Sequence, residues 1–403
     1  MSSANQAPAK ILNRFLDYGI YFFIFWYLFL CVVNYLNQRP LWNDEECVFL
    51  SIKSFTPKQM FTQELMSLQV FPRVYLFGVQ FFSRLFDFHV LSLRFPSFVC
   101  MVLAFFIWLR LAKDELKDKL EYLTFVLSWC ASSMLIYYSS ELKQYSMVVL
   151  AASLYVWFIF KAQNLKQEKQ SFIYAGILSM LPFLGLLSYT AFFFPPIVLY
   201  NLIVLQRTDK SQGRDIFILV TAFCVSLTIS YLFDTRLRPS SILSKEWQDY
   251  FISLKSAGEF FKTFGEGVMN LFVRWFTEHP RMIKRIGVFF VALGMLNLFY
   301  SFFCYIRKEQ YLIRSLNTIA LVIFLELFIA GMFKKYPFTV PRTSLFYCPI
   351  VFYLTVKGIG VLKGINKYAY ITVQGLFFIF LLFLTLALSG LIFTGQTVFA
   401  PVL

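Results

Sequence analysis

Stretches of about 18–20 apolar residues recur along the whole sequence. Coiled as a helix, each covers the roughly 30 Å of hydrocarbon in a bilayer. In hydrocarbon every backbone N–H and C=O needs a partner within the protein, so spanning segments are helices or closed barrels. A barrel would show short segments of alternating polarity, which this sequence lacks. The runs lie near 18–36, 92–110, 121–138, 145–161, 171–188, 190–206, 214–233, 286–306, 311–333, 343–362 and 368–390. The fold class is therefore all-α and polytopic, with about eleven spans. Only 15% of the chain is charged, against about 25% in soluble domains. The first run is too long and aromatic for a signal peptide, so it is expected to remain as an anchor.

The basic residues cluster in short loops: Lys10 and Arg14, then Arg110, Lys113, Lys117 and Lys119, then Lys161, Lys166 and Lys169. Arg207, Lys210 and Arg214 follow, then Arg307, Lys308 and Arg314, then Lys363 and Lys367. With a cytoplasmic N-terminus all of these fall on one side of the membrane. That distribution explains the net charge of +15 by contact with membrane lipid rather than with nucleic acid. Two long segments, 37–91 and 234–285, then face outward, and residues 1–403 read as a single transmembrane domain.

Both outer segments are expected to carry interfacial helices. "PKQMFTQELM" (57–66) opens on a proline suited to a helix start. "PRVYLFGVQFFSRLF" (72–86) is apolar but interrupted by Arg73, Gln80 and Arg84, which suits a helix lying on the membrane surface. The segment "EWQDYFISLKSAGEFFKTFGEGVMNLFVRWF" has the same character. Of seven cysteines, only Cys47 lies in a loop, so neither a disulfide framework nor a paired-cysteine metal motif is expected.

Acidic residues are scarce, 22 against 37 basic, yet Asp44, Glu45 and Glu46 stand in a row just past the first span. A partly desolvated carboxylate there suits a general base or a ligand for a divalent cation. The bland alternative is a solvated trio with Asn43-Asp44 capping a short helix. Glu141, Lys143 and Tyr145 in "YYSSELKQYS" reach the same face, where Ser139 or Ser140 capping the next helix is the simpler reading. In "KKYPFTVPRTSLFYCP" (334–349), Lys335, Tyr336 and Arg342 form a third outer group. Arg and Lys there suit a phosphate, or they snorkel from helix ends; Pro337 and Pro341 stiffen the loop. Tyr189 marks a further outer turn before Pro195-Pro196. Glu326 is the one acid well inside a span, where a charge costs about 2.5–3.5 kcal/mol on insertion scales. His89 and His279 lack neighbouring ligands.

Taken in order, "W-x-D-E" after the first span, "P-x-x-Y" in the next helix and "LRFPSFV" from Leu93 to Val99 resemble the GT-C glycosyltransferases. These membrane enzymes are related to protein O-mannosyltransferases and to the aminoarabinose transferase of lipid A. "YYSSELKQYSMVVLAASLYVWF" is similar to their "Y-S-x-E-x-R-x-Y" segment, and "YPFTVPRTSLFYCPIVF" to a "YPF…R…LF…P" stretch in their later helices. The resemblance implies transfer of a sugar from a polyprenyl-phosphate carrier to a glycan, lipid or protein acceptor on the outer face, in a bacterial inner membrane. It implies Asp44 as catalytic base with Glu45 beside it, and Glu141 orienting the acceptor or a metal. Lys143, Lys335, Tyr336, Arg342 and Arg73 become candidates for the donor phosphate, and Tyr75, Tyr145 and Tyr189 for positioning. The family's Arg before Tyr is Lys143 here, and Ser188-Tyr189 replaces a frequent His. The second change weakens the case for a bound zinc, so no cofactor is assigned and a divalent metal ion stays open.

Two other classes compete. A transporter or lipid flippase would show several ionisable or Gly/Pro-broken positions at mid-membrane depth and related halves. Glu326 alone gives little support for that. A non-catalytic scaffold would have no need of Asp44 and Glu141.

Overall fold

The computed structural model describes residues 6–167, 171–205, 211–238, 247–276, 281–308 and 316–395, which contain helices and no strands. The first long helix, α1 (Gln6–Leu36), is followed by three short ones: α2 (Asn43–Ser54), α3 (Pro57–Thr62) and α4 (Arg73–Arg84). Pro57 opens α3, and Thr56 and Gln59 cap it reciprocally. At 12 residues, α4 is far too short to cross a bilayer. It buries Arg73, Tyr75, Leu76, Val79 and Gln80 and turns Phe81 outward.

Next come α5 (Val90–Glu115), α6 (Lys119–Cys130), α7 (Ser133–Tyr138), α8 (Tyr145–Gln167) and α9 (Ser171–Met180). The third apolar run is thus broken in two: Ala131 ends α6 and Ser132 caps α7, its hydroxyl accepting from Leu135 N–H at 3.4 Å. The fifth run passes from α9 into a 3-10 helix, Leu181–Leu186, where Pro182 lacks the N–H a continuing α-helix needs. The sixth starts with the 3-10 turn Tyr189–Phe193 and becomes α10 (Pro195–Leu205) at the paired prolines.

The chain continues through α11 (Gln212–Phe233), α12 (Ala257–Phe272), α13 (Arg281–Lys308), α14 (Leu316–Met332), α15 (Cys348–Ile365) and α16 (Lys367–Phe393). Helix α12 is the expected surface helix of the second outer segment. Phe264 meets Phe328 of α14 at 5.3 Å between ring centres, and Phe272 meets Phe324 at 5.8 Å. Phe261 points away from the protein. Among the described residues six helical stretches are long and apolar enough to span: Ile11–Leu36, Val90–Glu115, Tyr145–Ala162, Gln212–Leu237, Pro341–Ile365 and Lys367–Phe393. Four shorter apolar helices lie over Phe172–Leu186, Tyr189–Ile203, Arg285–Phe299 and Leu316–Met332.

Helices α13 and α15 cross backbone to backbone at Gly294 and Gly358. A Cβ on Gly358 would lie 2.3 Å from the Leu293 carbonyl oxygen, and one on Gly294 would lie 2.9 Å from the Thr355 backbone. Small residues permit this close approach inside a membrane bundle. One end of the bundle is pinned by Lys119–Asp17 at 2.7 Å, Lys161–Asp114 at 2.9 Å and Lys363–Asp118. Three basic residues assigned from sequence to one side therefore do share one end. Lys169, Arg207, Lys210, Arg314 and His279 lie outside the described residues.

Candidate active site

At the opposite end, the turn after α1, the first turn of α2, the α7–α8 junction and the segment before α15 converge. Successive helix positions diverge by about 100°, so the three acids that open α2 look three ways. Glu46 faces outward. Glu45 points into the protein and is 0% exposed. Asp44 lies between them, its side chain 20% exposed.

Glu45 is fully engaged. Arg94 of α5 donates Nε at 3.1 Å to Oε1 and Nη2 at 2.7 Å to Oε2. Arg39 Nη1 reaches Oε2 at 2.9 Å, and the Leu142 backbone N–H reaches Oε1 at 2.7 Å. The pairing is bidentate, the geometry in which Arg binds carboxylate most strongly. It ties α2 to α5 and to the α7–α8 junction. Arg94 also donates to the Arg39 carbonyl at 2.7 Å, which fixes the turn leading into α2.

Asp44 is held by two cations, Lys143 Nζ at 2.9 Å from Oδ1 and Arg342 Nη1 at 3.3 Å from Oδ2. Lys143 is buried, donates to Gln69 Oε1 at 2.8 Å and lies 6.0 Å over the Phe71 ring. Burial draws its ammonium below the ordinary lysine value, and Asp44 opposes that shift. Arg342 sits at the start of a 3-10 helix, Pro341–Tyr347. The loop is tied to itself: Tyr336 donates to the Thr343 carbonyl, and Thr343 Oγ1 to the Val340 carbonyl at 2.8 Å.

Trp42, the residue before α2, joins the acidic and basic halves. Its indole Nε1 donates to Glu141 Oε1 at 3.1 Å, and the Arg342 guanidinium lies 5.9 Å over its ring. Glu141 is 0% exposed, and its Oε2 is buried with no hydrogen-bond partner. Burial first, and the neighbouring charge of Glu45 second, push its carboxyl up to about 8. Four cations (Arg39, Arg94, Lys143, Arg342) thus hold two carboxylates, Asp44 and Glu45. Cations gathered in this way suit an anionic ligand.

The sequence-derived residues separate into two groups. Asp44, Glu45, Glu141, Lys143 and Arg342 come together, and Tyr145 stands against Tyr138 at 4.9 Å beside them. Tyr336 supports the Arg342 loop. Tyr75 joins more remotely: its hydroxyl lies 3.1 Å from Ser97 Oγ, which donates to the Lys143 carbonyl at 3.0 Å. Arg73 and Tyr189 belong to a separate cluster around Asp234. Tyr189 donates to Asp234, Arg73 Nε lies 4.0 Å from it, and Arg238 Nε lies 3.4 Å from it. Arg238 also stacks 4.0 Å over the Tyr189 ring. Lys335 is exposed. Neither Asn43-Asp44 nor Ser139 serves as the helix cap considered from sequence: Trp42 occupies the first position, and Ser139 Oγ donates to the Ile136 carbonyl.

Sequence reasoning missed Gln69, Arg39 and Arg94 as partners. Arg94 was findable, since a guanidinium inside an apolar run needs a buried partner. The donor set does not suit a metal ion: Asp44 and Glu45 are taken by cations. Among the described residues no three of His, Cys, Asp and Glu are grouped to hold one.

Two comparisons find proteins that this chain resembles. Residues 71–232 match the model of the dolichyl-phosphate-mannose-protein mannosyltransferase family. The chain is similar in structure to ArnT from Cupriavidus metallidurans, solved bound to undecaprenyl phosphate, with a TM-score of 0.55 and 12% identity. The likeness covers 88% of this chain and 62% of that one, so the chain spans less than two thirds of its neighbour's length. No curated protein matches the chain.

Proposed function

We propose that the protein is a membrane glycosyltransferase that moves a sugar from a polyprenyl-phosphate carrier to a glycan, lipid or protein acceptor. The observation that carries this reading is the placement of Asp44 between Lys143 and Arg342, with Glu141 joined to them through Trp42. Arg342 and Lys143 take the phosphate of the donor, because a leaving phosphate needs fixed positive charge where its own charge develops. As the phosphate draws these cations to itself, Asp44 is released to accept the proton of the acceptor's hydroxyl or amine. The acceptor then attacks the anomeric carbon from the side opposite the phosphate, and polyprenyl phosphate departs. A single displacement of this kind inverts the anomeric configuration. Glu45 takes no proton: with Arg94 it holds Asp44 in place.

The chain acts as one transmembrane unit over residues 1–403, with this end of the bundle on the outer face of a bacterial inner membrane. The carrier fits the undecaprenyl phosphate bound to ArnT in its structure. The test is reconstitution into liposomes with a panel of undecaprenyl-phosphate sugars. Release of undecaprenyl phosphate together with appearance of a glycosylated acceptor is expected. No turnover with any donor, from folded protein supplied with membrane extract as acceptor, would contradict the reading.

A further inference from the structure

Glu141 is the one acid of the site that no cation holds. Asp44 has Lys143 and Arg342, and Glu45 has Arg94, Arg39 and the Leu142 N–H. Glu141 has a single neutral donor, the Trp42 indole on Oε1, while Oε2 is buried without a partner. An unpaired, ionised carboxylate at such depth is expensive, whereas a protonated one leaves an O–H free to donate. The same indole carries Arg342 over its face. The Glu141 carboxyl is thus linked, through its other oxygen, to the half of the site that takes the phosphate.

We propose that Glu141 is a catalytic acid, giving a proton to the carrier phosphate as it leaves, while Asp44 takes the proton of the acceptor. This rests on the glycosyl-transfer reading above and adds a second proton transfer to it. The balance is complete. The acceptor's O–H or N–H proton passes to Asp44 as the acceptor's bond to the anomeric carbon forms. The bond from that carbon to the phosphate oxygen breaks, its electron pair stays on the oxygen, and that oxygen receives the Glu141 proton. The products are glycosylated acceptor, monoprotonated polyprenyl phosphate, protonated Asp44 and ionised Glu141. Exchange with water after release restores both groups.

The groups that act on Glu141 are Glu45 from α2, Arg39 from the preceding turn, Arg342 from the segment before α15, and Lys143 of its own turn. The phenols of Tyr137, Tyr138 and Tyr145 lie within reach of its charge. Glu45 and burial favour the proton, and the three cations oppose it. Burial and Glu45 outweigh them, so the carboxyl holds its proton well above the ordinary carboxylate range.

The experiment compares wild-type, Glu141→Gln and Glu141→Asp proteins in liposomes with an undecaprenyl-phosphate sugar that the wild type uses. The pH dependence of kcat is the readout, together with the infrared carbonyl band of protonated carboxyls, recorded without substrate. Wild-type kcat is expected to fall as pH rises through about 8. Glu141→Gln should be about 10²-fold slower, with that fall abolished and one pH-sensitive carbonyl band missing. A Glu141→Gln enzyme that keeps the alkaline fall, or that turns over within twofold of wild type, overturns the proposal. Should Glu141→Gln not fold, Glu141→Asp decides: a displaced alkaline limb supports the proposal and an unmoved one overturns it. Wild-type protein inactive with every donor points instead to failure of the glycosyl-transfer reading.

Discussion

Arg94 closes on both carboxylate oxygens of Glu45, Nη2 at 2.7 Å and Nε at 3.1 Å, with both side chains removed from solvent. Breaking a buried pair by removing one partner strands the other charge and costs about 3–5 kcal/mol. Arg94→Leu and Glu45→Leu should each lower the unfolding temperature in detergent by many degrees. Because the pair is a brace, the double substitution should recover part of that loss. Equal Tm for wild type and Arg94→Leu would show that the pair holds nothing.

The stability of the protein should depend on pH through Glu141. Its folded carboxyl is raised to about 8 from the ordinary 4.5, so the folded state binds the proton more tightly than the unfolded one. The resulting stabilisation is fully present below the unfolded value and is lost as pH climbs from about 4.5 to 8. Thermal unfolding at pH 6 and pH 8.5 should differ less in Glu141→Gln than in wild type. An identical difference in both would place the titrating group elsewhere.

Asp234 collects Arg73, Arg238 and Tyr189, linking α4 of the first outer segment to the end of α11. Asp234→Ala leaves two guanidiniums facing each other and should cost about 3 kcal/mol. Tyr189→Phe removes one hydrogen bond and should cost about 1 kcal/mol. Unfolding temperatures check the order of the two effects. A larger loss in Tyr189→Phe than in Asp234→Ala would contradict this arrangement.

Gly358→Ala should be severely destabilising, at least about 2 kcal/mol. The added methyl would lie 2.3 Å from the Leu293 carbonyl oxygen, and that obstacle is backbone, which has no rotamer to change. Gly364→Ala, in the same helix with open space around it, is the control and should be neutral or slightly stabilising. Equal expression and Tm for the two variants would argue against the close crossing of α13 and α15.

The apolar runs revealed the helices because hydrocarbon leaves a chain few alternatives, and the surface helices of both outer segments were legible from their interrupted hydrophobicity. The break at Ala131-Ser132 was not, because nothing in "SWCASSML" differs in hydropathy from a continuous helix. Chemistry at this end of the bundle could be guessed residue by residue, but its pairing could not. Arg342 and Asp44 are 298 positions apart, and only the packed bundle brings them to 3.3 Å. Arg73 was grouped with the candidates for the donor phosphate, yet Asp234, at the far end of α11, lies beside it. Trp42 was seen as a neighbour of the acids, but its indole contact with Glu141 spans 99 positions and has no local signature.

The most direct measurement is the transfer rate of Asp44→Asn, reconstituted with an undecaprenyl-phosphate sugar that the wild type accepts. The amide keeps the shape of the side chain but cannot take a proton from the acceptor, so the rate should fall by about 10²–10⁴. Donor binding should persist, because Lys143 and Arg342 are then free for the phosphate. Transfer by Asp44→Asn at the wild-type rate would show that the proton is taken elsewhere and that these residues are not the catalytic centre.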